Sequence, residues 1–332
     1  MKHISRLNAQ TWLEHLRRAQ GGTQVCYAMF SSIVDAITTD PAAMVVPVDD
    51  HLVHRGDGVF ESMKCMDGAI YNIDAHLDRL DRARKAVELE FPYTREDLLE
   101  IISQTIHAGG RRDCLIRILV SRGTGTMSVD PNKCKRPELY VAVYKLPEKW
   151  LKKERYPAHV AISKVPIKPP FFATIKSCNY LPNVLMKKEA EDREVDFVIA
   201  LSEKGDLGEG ATENFAIVTA DRQLLAPPTD RVLMGTTLQR VIELAQDLVE
   251  SGDLKRAGYA PITPMDAAGS DEMLVIGTTR DILPVSVFEG KKVGKGQPGP
   301  IYKKLLKLLR DDMRTNEGRR FMVYKQQVGS EG

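Results

Sequence analysis

No run of about 18 apolar residues occurs in the chain, so no segment reads as a membrane-spanning helix. The N-terminal stretch MKHISRLNAQTWLEHLRRAQGG is polar and amphipathic, without the apolar stretch of a secretory signal. Charge of one sign is missing too: 47 Lys and Arg face 45 Asp and Glu, a net +2. A balance that even excludes a strong field for nucleic acid or an anionic membrane, so neither is expected as a partner. The five cysteines (Cys26, Cys65, Cys114, Cys134, Cys178) include no CxxC; dispersed and odd in number, they read as reduced thiols of a cytoplasmic protein and offer no zinc site. The seven histidines lack ligand spacing, and the nearest pair, His51 and His54, reads as ordinary loop residues, so no metal is expected. No GxxxxGK[ST] occurs, which excludes a P-loop. Internal repeats and low-complexity tracts are absent.

What is present is a chain of 332 residues, 43% hydrophobic and 28% charged, long enough for two domains and apolar enough for sizeable cores. Residues 8–20 read as a helix that Gly21-Gly22 ends. Strand-like pieces follow: MVVPV (44–48), GVFESMKCM (58–66) and AIYNI (69–73), the last two joined by an Asp67-Gly68 hairpin signal. Asp74 can cap a helix running to about Leu89, a second helix spans Arg95 to His107, and residues 114–123 and 138–146 are strands. This half is an α+β unit with a mostly antiparallel sheet. The charged, proline-bounded stretch 147–157 reads as a linker. Beyond it come HVAISKVP, a helix at about 182–194, and the strands FVIAL, NFAIV, QLLAP, MLVIG and PVSVF. Residues 237–250 form an amphipathic helix with Leu238, Val241, Ile242, Ala245, Leu248 and Val249 on one face, stopped by Gly252. The basic helix 302–313 reads as a surface helix with its leucine stripe on the core. The domains expected are 1–148, with an N-terminal extension of about 40 residues, and 155–332, with a linker at 149–154.

Three features point to chemistry. Gly235-Thr236-Thr237 opens the strongest helix, where unpaired backbone N–H groups and a partial positive charge suit an anion; a plain N-cap is the alternative. Gly277-Thr278-Thr279 ends the strand MLVIG, a second glycine-and-hydroxyl corner that is otherwise an ordinary turn. Two such corners in one domain suggest a shared phosphate. Lys176 ends an apolar segment just before a helix, where burial would lower its pKa toward the neutral amine that Schiff-base chemistry needs; a lysine snorkelling at a strand end is the alternative.

These features occur in the order of a known family. The chain resembles the fold-type IV pyridoxal-phosphate enzymes, the class-IV aminotransferases, over about residues 44–310. The group includes branched-chain and D-amino-acid aminotransferases and aminodeoxychorismate lyase. The resemblance rests on HRGDGVFE (54–61), HLDRL (76–80), IKSCNYL (175–181), GEGATENFAIV (208–218), LMGTT (233–237) and VIGTTRDILPV (275–285). It implies an α/β (α+β) two-domain fold with pyridoxal 5'-phosphate between the domains, and a homodimer in which one small domain reaches the neighbour's site. Lys176 would be the Schiff-base lysine and proton shuttle, and Glu209 the partner of the pyridine nitrogen. Arg79, Thr236, Thr237 and Thr278 would hold the phosphate, and Tyr180 the phenolic oxygen. Tyr180 lies four residues after the lysine, where the branched-chain enzymes have five.

On the substrate side the resemblance implies Phe60, Lys64, Arg117 and Thr279. Phe60, Ser62 and Lys64 alternate along one strand and so share a face. Arg117 matches the branched-chain arginine for the distal carboxylate of glutamate, and MSV (127–129) resembles that family's MGV loop. Arg55 and Leu115 stand where those enzymes have tyrosines. TMS (126–128) lacks the R-x-H of the D-specific enzymes, whereas GDGVFE resembles the D-specific and lyase branches. The expectation is transamination of an amino acid, first a branched-chain L-amino acid with 2-oxoglutarate as acceptor. A D-amino-acid aminotransferase and a lyase-type elimination are the alternatives. A non-catalytic phosphate-binding protein is disfavoured, since mere binding needs neither Lys176 nor Glu209.

Overall fold

A computed structural model describes residues 4–19, 25–147 and 156–324 of the chain. The expected linker 149–154 and the Gly21-Gly22 helix stop lie outside the described residues. The chain divides into two compact units, and neither is continuous in sequence. Of the described residues, the first holds 4–19, 25–73, Arg84–Pro147 and 321–324; the second holds Asp74–Ala83 and 156–320. Asp74–Ala83 groups with the second unit, and the segment from Phe321 with the first.

The first unit is built on β1 (Cys26–Ser31), β2 (Ala36–Thr38), β3 (Gly58–Met66), β4 (Ala69–Tyr71), β5 (Cys114–Ser121) and β6 (Glu138–Lys145). All of their pairings are antiparallel. The β3–β4 hairpin turns at Asp67 (φ 52°) and Gly68 (φ 77°), the doubly positive geometry for which an Asp-Gly pair is suited. Strand β3 alternates: Val59, Glu61, Met63 and Cys65 are buried, while Ser62, Lys64 and Met66 are half-buried on the other face. The expected strand at 44–48 does not form. Pro47 lacks an N–H for a ladder, and Val45 and Val48 are exposed. The N-terminal extension supplies β1 and β2 instead.

Helix Ile73–Ala86 begins after Asn72, which sits in the left-handed region at φ 58° without a side-chain cap; Asp74, expected as the cap, lies in the first turn. Helix Arg95–Gly109 carries a capping box of Thr94 and Asp97 and stops at Gly110, φ 63°.

The second unit is a mixed sheet of β7 (Ala158–Ile162), β8 (Phe197–Leu201), β9 (Leu207–Gly210), β10 (Asn214–Val218), β11 (Gln223–Ala226), β12 (Arg256–Tyr259), β13 (Glu272–Gly277), β14 (Asp281–Phe288) and β15 (Lys291–Lys292). Its order is β12-β11-β10-β13-β14-β7-β8-β9, with β15 beside β14. Strands β11–β12, β14–β7 and β7–β8 pair in parallel. Phe215, Ile217, Met273, Val275 and Phe288 fill its core with Val160 and Ile199. Helix Thr236–Glu250 buries Leu238, Val241, Ile242, Leu244, Ala245 and Leu248; Val249 is only half-buried. Helix Pro300–Thr315 buries Ile301, Tyr302, Leu305 and Leu309 on the core, as its leucine stripe predicts. A last strand, β16 (Arg320–Met322), joins β4 at the edge of the first sheet, whose order is β16-β4-β3-β5-β6-β1-β2. Among the described residues no helix is long and apolar enough to cross a membrane.

Candidate active site

The glycine corners expected from the sequence lie side by side in the second unit. Helix Thr236–Glu250 starts at Gly235 with no side-chain cap and no acidic residue in its first turn, so among the described residues its N–H groups are not answered by a capping side chain. Strand β13 ends at Gly277, and a turn closed by the Arg280 N–H to the Gly277 carbonyl (3.0 Å) carries Thr278 and Thr279. The Thr237 and Thr278 hydroxyls stand 3.5 Å apart, which joins the two corners into one cup of hydroxyls at a helix N-terminus. Gly235 itself is explained by a neighbour: a Cβ there would collide with Asn214 Oδ1, and the Asn214 amide nitrogen donates to the Leu233 carbonyl at 2.9 Å.

Helix Ile73–Ala86 brings two side chains of HLDRL to the same corner. Arg79 is buried and donates from Nη1 to the Met234 carbonyl at 3.2 Å. His76, which the sequence reading does not single out, is buried with Nε2 3.2 Å from the Thr236 hydroxyl. Its only sequence signal is its place in that motif.

Lys176 does not end a strand. It follows the short helix Pro170–Ala173 in irregular chain, after buried Ile175 and before helix Leu181–Asp192. Its Nζ donates to the Tyr180 hydroxyl at 3.3 Å, so the four-residue spacing does bring lysine and tyrosine together. Glu209 on β9 is buried and accepts the Leu233 N–H at 2.9 Å. Burial raises its carboxyl above the usual carboxylate value, opposed by the charge of Lys168, the Leu233 N–H, and the charges of Lys176 and Arg79. Lys176, Tyr180 and Glu209 line one cavity together with Lys168 and Asn183. Lys168, too, escapes the sequence reading, because a lysine before two prolines carries no pattern of its own.

The residues expected on the substrate side lie on the first unit, apart from Thr279, which shares the turn with Thr278. Phe60, Ser62 and Lys64 share the half-open face of β3, and Ser62 sits opposite Arg117 of β5 in the ladder. The Arg117 guanidinium lies 5.1 Å from the centroid of the Phe60 ring. Among the described residues no group of three or more His, Cys, Asp or Glu could hold a metal ion. His51 is not an ordinary loop residue: it is buried on the helix His51–Arg55, with Nδ1 3.5 Å from Asp57 Oδ2.

Residues 58–288 match the amino-transferase class IV family. The chain belongs to that family, and it is an aminotransferase of this class. It is 42% identical over 303 residues to the chloroplastic D-amino-acid transaminase of Arabidopsis thaliana, covering 91% of this chain and 80% of that protein. A putative branched-chain-amino-acid aminotransferase of Methanocaldococcus jannaschii is 31% identical over 277 residues, 82% of this chain and 92% of that one. Among solved structures, the T.th. branched-chain amino acid aminotransferase complexed with N-(5'-phosphopyridoxyl)-L-glutamate superposes with a TM-score of 0.83 at 25% identity, over 91% of this chain and all of that one.

The residues of the second unit suit pyridoxal phosphate as a donor set. A dianionic phosphate calls for hydroxyls, helix N-terminal N–H groups and an arginine, and these converge at Thr236, Thr237, Thr278 and Arg79. A basic ring nitrogen calls for a buried carboxyl, and Glu209 is one. An aldehyde calls for an amine, and Lys176 Nζ opens onto the same cavity as Glu209.

Proposed function

We propose that this aminotransferase transfers an amino group with pyridoxal 5'-phosphate as cofactor and 2-oxoglutarate as acceptor. When bound, the cofactor supplies an aldehyde for capture of the amino group and a ring that withdraws electrons from the reacting carbon. Lys176 Nζ is the nucleophile that holds the cofactor, and it then moves the proton at the substrate Cα. The Tyr180 hydroxyl orients that amine. Glu209 keeps the ring nitrogen protonated, while Arg79, Thr236, Thr237 and Thr278 anchor the phosphate.

On the substrate side, Arg117 and Lys64 take the second carboxylate of the acceptor, Phe60 packs against the apolar part of the substrate, and Thr279 stands beside the reacting group. The site works in a homodimer in the cytoplasm. The single observation that carries the reading is the convergence of Lys176, Tyr180, Glu209 and the Thr237–Thr278 cup in one compact unit.

Two readings of the amino donor remain, each with its own support. The branched-chain L-amino acid reading rests on Arg117 and on the likeness to branched-chain enzymes in sequence and fold. The D-amino-acid reading rests on the higher identity, 42%, to a D-amino-acid transaminase. A panel of L- and D-amino acids with 2-oxoglutarate or pyruvate separates them. Turnover of L-leucine and L-valine supports the first, and turnover of D-alanine without L-leucine the second. Release of pyruvate from an amino substrate with no keto acid added would point to elimination instead.

A further inference from the structure

Two charged side chains of the Lys176 cavity have no assigned part in the reaction: Lys168, and Glu213, whose carboxylate accepts from the N–H and the hydroxyl of its neighbour Thr212. Lys168 lines the cavity together with Lys176, Tyr180 and Glu209. Its Nζ stands 5.7 Å from the centroid of the Tyr180 ring, and Lys176 Nζ stands 5.8 Å from the same centroid. The tyrosine thus has two ammonium groups near its ring, of which one, Lys176, bonds its hydroxyl.

The backbone fixes where Lys168 can reach. Its neighbour Ile167 is tied to β8 by an N–H donated to the Leu201 carbonyl at 3.4 Å. The Ile167 side chain sits over Gly208, so closely that a Cβ on Gly208 would collide with Ile167 Cδ1. On the other side, Pro169 and Pro170 lock the chain as it enters the next short helix. Ile167 packs on the residue before Glu209, and Lys168 and Glu209 line the same cavity. There its charge opposes the effect of burial more strongly than the Leu233 N–H, Lys176 or Arg79 does.

We propose that Lys168 is a positioning residue for transamination: it keeps Glu209 ionised, so that Glu209 can hold the proton on the cofactor ring nitrogen. The proposal rests on the pyridoxal-phosphate reading above. The other two cations near Glu209 have duties that remove their charge from it. The charge of Arg79 is answered by the phosphate, and Lys176 must be a neutral amine whenever it attacks or takes up a proton. Lys168 has no such duty. Without it, burial favours the neutral acid and the ring nitrogen loses its charged partner.

The test compares Lys168→Met, Lys168→Gln and Lys168→Arg in the full-length protein. Carbon NMR of Glu-labelled apoprotein, with the Glu209 signal assigned by its loss in Glu209→Gln, reads the carboxyl without any turnover. Removal of the charge should raise the Glu209 titration midpoint by about one pH unit, and arginine should restore it. In the loaded enzyme, Lys168→Met and Lys168→Gln should lose about ten-fold or more in kcat with KM little changed, since the charge acts on the reacting state; arginine should recover most of that loss. An unmoved midpoint overturns the proposal. A raised KM with unchanged kcat also overturns it, because Lys168 would then grip the substrate. Failure of the wild-type protein to take up pyridoxal phosphate would instead sink the cofactor reading, and the apoprotein titration is independent of that result.

Discussion

The two units hold their candidate residues differently. In the second unit the residues proposed to hold the cofactor have partners within the unit: Glu209 accepts the Leu233 N–H, Arg79 donates to the Met234 carbonyl, and Thr237 stands beside Thr278. The first unit carries buried Phe60, half-buried Ser62 and Lys64, and exposed Arg117 on its paired strands β3 and β5. On the proposed reading, the chemistry belongs to the residues held by these contacts and the choice of substrate to the residues of β3 and β5. This accounts for a chain that carries its family's motifs around Lys176, Glu209 and the threonines, while Arg55 and Leu115 depart from the branched-chain pattern.

The sharpest way to break that contrast is at the nucleophile. Lys176→Ala should abolish both turnover and the borohydride-sensitive visible band for every amino acid tested. Retention of either would move the chemistry elsewhere. Glu209→Gln should keep the cofactor, measured by absorbance after gel filtration, and lose on the order of 10²-fold in kcat, comparable to removing one preorganised donor from a site. The same carboxyl sets a pH dependence. Because burial raises it, in the apoprotein it takes up a proton at higher pH than an ordinary glutamate, so carbon NMR of the labelled apoprotein should show a titration midpoint above the usual carboxylate range that is missing in Glu209→Gln.

Arg79→Ala should weaken cofactor binding by roughly 10- to 150-fold, the loss of one charge-assisted contact of about 1.5–3 kcal/mol, with kcat at saturating cofactor much less affected. The hydroxyls and N–H groups at Thr236 and Thr237 keep binding from vanishing. Equilibrium dialysis of the cofactor measures the constant, and an unchanged value would make Arg79 a structural residue. Arg117→Ala has the narrowest effect. It should raise KM for 2-oxoglutarate and glutamate by about ten-fold and leave that for a monocarboxylic amino acid nearly unchanged. Equal losses for both classes would erase the distinction between the two units.

Much of this arrangement was legible in the sequence, for local reasons. The Asp67-Gly68 turn, the helix at Thr236 and the glycine-and-hydroxyl corners each carry their signal within a few residues. What was not legible depends on partners distant in the chain. Periodicity identifies β7, β8 and β14 as strands but does not say that they pair in parallel. The apolar run MVVPV looks like a strand until its proline and its exposed valines are weighed. The strand β16 is three residues at the far end of the chain, with no pattern of its own. Within the site, Lys176 and Glu209 stand in recognisable motifs. His76 and Lys168 matter through what they touch, which only folding reveals.

Two lysines, Lys168 and Lys176, open onto one cavity, and only one of them can be the nucleophile that holds the cofactor. Reduction of the wild-type protein with borohydride in the presence of pyridoxal phosphate, followed by peptide mapping, decides between them. The pyridoxyl label is expected on Lys176 alone. A label on Lys168, with Lys176 unmodified, would contradict the assignment of the catalytic amine, and with it the roles of Tyr180 in orienting that amine and of Glu209 at the ring nitrogen.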